Sequence, residues 1–155
     1  MKDLILDILR EIELDKEYEK LCLRYSDFDG RVNLNWKEIE PIINDYDPDF
    51  KYVAKDRTFL KEIIFRGFIV RFFVGYYGGI IDFSYLIWKE GENNNFYQGR
   101  LASLTETLDP EFEEKVKFQT PIATSLEDFE DILSKIFSLF KEFQKRIQES
   151  KFKLT

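Results

Sequence analysis

Six consecutive residues, Asp27-Phe28-Asp29-Gly30-Arg31-Val32, place two carboxylates and a glycine at the spacing found in the middle of an EF-hand calcium loop. The ends of such a loop do not follow. Its first ligand position falls on Tyr25 and its twelfth on Trp36, so the leading carboxylate and the closing bidentate glutamate are both missing. The run is therefore expected to form an Asx-type turn rather than a metal site. Two further carboxylate groups, Asp45, Asp47 and Asp49, and Glu111, Glu113 and Glu114, have the chemistry of acid-base pairs, but solvated loops and helix starts account for them more simply. The sequence contains no histidine, which removes Ser-His-Asp and Cys-His nucleophilic schemes, histidine general bases and the usual zinc sites. No Gly-x-x-x-x-Gly-Lys phosphate loop occurs, and Gly75-Tyr-Tyr-Gly-Gly lies within a hairpin pattern whose turn explains its glycines. The lone Cys22, set among Tyr18, Leu21 and Tyr25, reads as a buried side chain on a helix. The expectation is a chain with no catalytic residue, no cofactor and no metal, and thus not an enzyme.

The elements that would position any site follow from periodicity. Leu4, Ile5, Ile8, Leu9 and Ile12 recur at helical spacing, and Tyr18, Leu21, Cys22 and Tyr25 continue it after a break at Asp15. Val32, Leu34 and Trp36 alternate as in a half-buried strand, and Pro41 then limits residues 38–44 to one short helical turn that starts at the proline. Residues 50–55 and 58–65 are strand candidates. The clearest element is a hairpin over residues 68–88, turning at Gly78-Gly79 with Tyr77 opposite Ile80. That register puts Phe68, Val70, Phe72, Val74 and Tyr76, with Ile81, Phe83, Tyr85 and Ile87, on a core face. The other face carries Ile69, Arg71, Phe73, Tyr77, Ile80, Asp82, Ser84, Leu86 and Trp88, too apolar for open water and too polar for an interior.

After a loop at 89–95, residues 96–101 add a strand. Asp109-Pro110 offers a cap and first-turn proline for a short helix, and Ser125 with Asp128 starts the longest one. Its stripe is Phe129, Ile132, Leu133, Ile136, Phe137, Phe140, Phe143 and Ile147. The fold class is α+β, an antiparallel meander flanked by N-terminal helices and a long C-terminal amphipathic helix. At 155 residues the chain is expected to be one domain over 1–150 with a frayed tail at 151–155.

Charge is unevenly spread over this plan. Residues 1–50 hold seven Lys and Arg against fourteen Asp and Glu, residues 51–75 hold six against two, and residues 76–155 hold ten against fourteen, within a net charge of -7. Such a chain repels nucleic acid, since phosphate binding would rest on the small patch of Lys51, Lys55, Arg57, Lys61, Arg66 and Arg71. A basic protein partner suits the acidic first third better, although a negative balance also serves solubility. Neither an unbroken apolar run at the start nor a stretch of ~18 uncharged residues appears, so the expected location is the cytoplasm, with no membrane contact.

The segment Pro121-Ile-Ala-Thr-Ser-Leu-Glu-Asp-Phe-Glu-Asp-Ile-Leu, opening an amphipathic helix in a small acidic α+β chain rich in Phe, Tyr, Ile and Lys, resembles bacterial immunity proteins of polymorphic or contact-dependent toxin systems. The resemblance implies a cytoplasmic inhibitor that binds a cognate toxin domain and blocks its active site or an essential surface. Such toxins are often basic nucleases, which would give the acidic patches a purpose. The expected contact surface comprises Asp27, Asp29, Asp45, Asp47 and Asp49 around the aromatic anchors Tyr46 and Phe50. A second candidate surface is the sheet face bearing Tyr77, Asp82 and Trp88. The alternative reading is a type III-like secretion chaperone, a class of obligate dimers, with Phe73, Tyr77 and Trp88 as dimer surface; the chain itself leaves monomer and dimer open. A third reading is a small-ligand binder or enzyme that uses Asp82 in a sheet pocket opposite Gly75.

Overall fold

A computed structural model of the chain describes residues 2–91 and 96–149. Three helices lead, α1 (Lys2–Glu11), α2 (Leu14–Arg24) and α3 (Trp36–Tyr46), followed by five strands, β1 (Lys51–Val53), β2 (Thr58–Phe65), β3 (Phe68–Tyr77), β4 (Ile80–Lys89) and β5 (Phe96–Arg100). Helices α4 (Leu101–Leu108), α5 (Phe112–Lys115) and α6 (Leu126–Glu149) complete it. The strands form one antiparallel sheet in sequence order, which is the α+β meander expected from the sequence. The expected frayed tail at 151–155 and part of the loop at 89–95 lie outside the described residues.

The central hairpin has the predicted register, with Tyr77 opposite Ile80 and Phe72 opposite Tyr85. Gly78 and Gly79 both adopt positive φ, 55° and 92°, as a tight two-residue turn requires. Gly79 has a second reason to be glycine, because a Cβ there would lie 2.6 Å from that of Arg31. The inward side chains Phe68, Val70, Phe72, Val74, Ile81, Phe83, Tyr85 and Ile87 are all buried, with Tyr76 half-buried beside them. They meet the whole predicted stripe of α6, every member of which is buried. Rings make the seam: Tyr76 against Phe129, Phe50 against Phe137 at 4.9 Å, Phe72 against Phe140 at 4.6 Å and Tyr85 against Phe143 at 5.2 Å. One continuous core runs from Ile5 to Ile147.

Five local expectations are corrected. The first helical break falls at Glu13, which takes a left-handed φ of 58°, rather than at Asp15, so α2 begins at Leu14. Residues 31–35 are extended but form no strand. Val32 N–H donates to the Ala123 carbonyl and Leu34 N–H to the Tyr76 hydroxyl, so the backbone is satisfied without a ladder. Trp36 starts a helix instead, and α3 runs through Pro41. A proline there costs ~3 kcal/mol. Against that stand a complete capping box, Asn35 accepting from Lys37 N–H and Glu38 accepting from Asn35 N–H, and full burial of Ile39 and Ile43 at ~1.5–3 kcal/mol each. Burial and capping together outweigh the lost bond. Finally, Leu101 opens α4 rather than extending β5, and Asp109 accepts from Glu111 N–H in a turn two residues ahead of α5.

Phe72 and Phe73 are neighbours on opposite faces, which makes the register measurable. Phe72→Ala is expected to cost ~3–5 kcal/mol in a denaturant titration as a core truncation, and Phe73→Ala ~1 kcal/mol or less. A loss below ~1 kcal/mol for Phe72→Ala, with the larger loss at Phe73, would place the register one residue off.

Candidate functional site

The N-terminus of α6 is fixed by its own first residues. Ser125 Oγ accepts from Asp128 N–H, while the Asp128 carboxylate accepts from both the N–H and the hydroxyl of Thr124 at 3.1 and 2.6 Å. Immediately before it, residues 121–123 act as a short stitch. Ile122 N–H donates to the Tyr25 carbonyl, Ala123 N–H to that of Gly79, and Ile81 N–H to that of Pro121. The end of α2, the hairpin turn and the start of α6 are thereby tied at one corner. Tyr25, buried at 7 % exposure, adds a side-chain link by donating its hydroxyl to Asp131. Burial, and then the Asp131 carboxylate, push its phenol up to about 12.

From the other side the last turn of α3 arrives, where Tyr46 stacks edge-on to Phe137 and donates to the Glu130 carbonyl at 3.4 Å. Between these elements lies an open cleft of about 330 Å³, lined by Arg24, Tyr25, Tyr46 and the acids Glu127, Asp128, Glu130 and Asp131. Two of the acids are committed to structure, Asp128 to the cap and Asp131 to Tyr25 and, at 3.8 Å, Arg24. Glu127 and Glu130 are exposed and make no side-chain bond among the described residues.

The predicted set divides. Tyr46, 38 % exposed, lines the cleft, and Asp45 and Asp49 are exposed in or just beyond the same helical turn. Asp47 pairs with Lys61 at 2.5 Å, both largely covered, and accepts from Asp49 N–H. Phe50 is 2 % exposed and stacked on Phe137, so it supports the surface from beneath and is not an exposed anchor. Asp27 accepts from Gly30 N–H, as the Asx-turn reading expects. Phe28 rests on Phe118 with the Arg31 guanidinium over its ring. Asp27 and Asp29 are exposed on this separate loop and do not line the cleft. Glu127 and Glu130 are not among the site residues expected from the sequence, where acids at a helix N-terminus are ordinary. The overlooked signal was the surplus: capping uses Asp128 alone.

The second surface is the outward sheet face. In register across the strands it reads Leu60, Phe73, Ser84, then Glu62, Arg71, Leu86, then Ile64, Ile69, Trp88, with Tyr77 beside Ile80 at the turn end. Its apolar members lie outside the core, and Ile64 and Tyr77 are 66 % and 47 % exposed. The ligand pocket expected opposite Gly75 is filled, because the Tyr77 ring lies where a Cβ at Gly75 would project, 3.0 Å away. Asp82 is bound to Arg100 at 3.0 Å. The basic patch is also divided by the pleat, Lys61 turning inward to Asp47 and Arg71 outward to Glu62 at 2.5 Å. Among the described residues no group of His, Cys, Asp and Glu is arranged to hold a metal ion. Burial raises the Cys22 thiol to about 12, far from a thiolate nucleophile at neutral pH. No helix among the described residues is long and apolar enough to cross a membrane.

The Tyr25 to Asp131 bond that anchors the cleft gives a pH signature. An acid whose folded pKa lies above its unfolded value of ~10 stabilises the fold while protonated, fully below pH ~10 and progressively less as pH rises through about 12. Tyr25→Phe is therefore expected to lose ~1.5–3 kcal/mol at neutral pH, the value of a hydrogen bond to a charged group. In denaturant titrations repeated up the pH scale the gap between the two proteins should close over that alkaline window.

Comparison with protein-family models, with curated proteins and with solved structures finds no match to this chain.

Proposed function

We propose that this chain is a cytoplasmic binding protein of the immunity type, without catalytic activity, whose acidic cleft docks a basic surface of a toxin domain, a nuclease being the first class to test. The observation that carries this reading is a set of exposed carboxylates without side-chain partners among the described residues, Glu127 and Glu130 lining the cleft with the half-exposed Tyr46, and Asp45 and Asp49 in and just beyond the last turn of α3 that carries that tyrosine. Folding does not explain Asp45 and Asp49. Asp45 sits in the last turn of α3, where the helix dipole disfavours negative charge, and Asp49 lies just beyond the helix without a cation beside it among the described residues. Unpaired like charges held on a rigid helix pair raise the encounter rate with a basic partner, while the buried part of a tyrosine supplies affinity.

A second reading is favoured by a different observation. The apolar outward sheet face is what a dimeric secretion chaperone would use to associate, and that reading requires a partly unfolded client in place of a folded basic domain. A small-ligand site at Asp82 has no support, given Tyr77 over Gly75 and the ion pair to Arg100.

The partner is to be recovered with the tagged chain in its native host, and the purified pair followed by surface-based kinetics. Reversal of Asp45, Glu127 and Glu130 to lysine is expected to slow association by about tenfold or more at low salt. The difference should shrink as the Debye length falls to ~8 Å. Tyr46→Ala is expected to speed dissociation with little salt dependence. Equal association rates for wild type and the charge-reversed protein at low salt would remove this cleft from the interface.

A further inference from the structure

Among the described residues, the apolar side chains of the outward sheet face lie outside the core. We propose that two copies of this chain pack sheet to sheet through this face. The inference does not depend on the acidic cleft, which belongs to the helical layer and stays open in both copies.

Three observations favour a second copy over any other occupant. The first is area. Strands of three, eight, ten, ten and five residues, at ~3.3 Å per residue and ~4.8 Å between strands, cover ~570 Å² per copy and ~1,100 Å² in a pair, above the ~1,000 Å² that a specific interface has to clear. The second is charge. Lys51, Arg71 and Arg100 face outward against Glu62 and Asp82, a balance of one positive charge on a chain of net charge -7, so the acidity lies elsewhere on the chain. Two acidic copies repel least when they meet here. Arg71 is already closed on Glu62 and lies over the Trp88 ring at 4.6 Å, and Arg100 is closed on Asp82, so burial strands neither guanidinium without its counter-ion. A strongly charged partner would find nothing on this face to select it.

The third observation is relief. Ser84, the smallest outward side chain in the middle of β4, leaves a hollow of about 180 Å³ between Phe73, Leu86 and Arg100. Hollow and projection on one face are what a two-fold interface needs, since each copy's projection must meet the other's hollow. Two such twisted sheets pack with strands ~30° apart and ~10 Å between layers, a common sandwich geometry.

The test is sedimentation equilibrium of the full chain from micromolar to hundreds of micromolar, in physiological and in high salt. A species of twice the 18.7 kDa chain mass is expected at the upper concentrations, persisting in high salt because the contact is apolar. Phe73→Glu is expected to raise the dimer dissociation constant at least tenfold while circular dichroism and melting show a folded chain. If that variant does not fold, Ile64→Glu, at a side chain 66 % exposed, is expected to give the same shift. Lys135→Glu, on the exposed side of α6, should dimerise like wild type. A wild-type chain that is monomeric throughout, or folded face variants that dimerise like wild type, would overturn the proposal. A monomeric chain that still binds a basic partner through the cleft would overturn the dimer alone.

Discussion

Everything in this fold depends on the seam of rings between α6 and the inward face of the sheet. The helix is ~36 Å long and buries a phenylalanine or aliphatic residue at each turn. The sheet answers with Phe72, Phe83, Tyr85 and Tyr76 at successive positions along β3 and β4. Aromatic pairs at 4.6–6.3 Å between centroids combine large buried area with restricted geometry, so the helix is held at a definite angle and not merely adsorbed. The N-terminal helices then pack where the seam leaves room, α1 and α3 against α6 and α2 against α4.

A sheet covered on one face only has two consequences for function. The seam ends at the α6 N-terminus, and the elements that close it there, the end of α2 through Tyr25 and the end of α3 through Tyr46, form the walls of the acidic cleft. The cleft thus rests directly on the core, with Phe137 serving both Phe50 below and Tyr46 at the surface. The same one-sided packing leaves the other face of the sheet outside the core and partly exposed among the described residues. The chain places there aliphatic and aromatic side chains, with its few charges mutually paired, where an isolated sheet would be expected to alternate inward apolar with outward polar residues.

The sheet and the long helix were legible in the sequence because each is written in a strong periodic code. Gly78-Gly79 fixed the hairpin register, and the 3.6-residue spacing from Phe129 to Ile147 fixed the buried side of α6. The segment 31–46 was not, because two local signals there were outweighed by tertiary ones. The alternation of Val32, Leu34 and Trp36 mimics a strand, but the backbone partners that decide the matter lie at Ala123 and Tyr76, remote in sequence. Pro41 argued against a through-going helix, and the burial of Ile39 and Ile43 together with the capping box at Asn35 shows why one forms. Within the candidate site, charge could be counted from sequence but pairing could not. Nothing in the string Asp45-Tyr-Asp-Pro-Asp distinguishes the aspartate that binds Lys61 from the two that bind nothing, and nothing marks Phe50 as buried with Tyr46 exposed.

That division between spent and unspent charges separates structure from function in this chain. Asp47, Asp82, Asp128 and Asp131 each satisfy a cation, a cap or a phenol, so removing any of them leaves a partner without its bond. Asp45, Asp49, Glu127 and Glu130 have no side-chain partner among the described residues, so the fold gains from them at most the small dipole term that Glu127 and Glu130 find near the α6 N-terminus. The unspent acids stand on the helical side, whereas the outward sheet face has its charges closed on one another. A dimer built through that face would bring together the surfaces that repel least and present two acidic clefts outward, each free to meet a basic surface. Binding would then give the unspent acids the partners that the fold does not, which is the sense in which they would act as recognition elements and not as ballast for solubility.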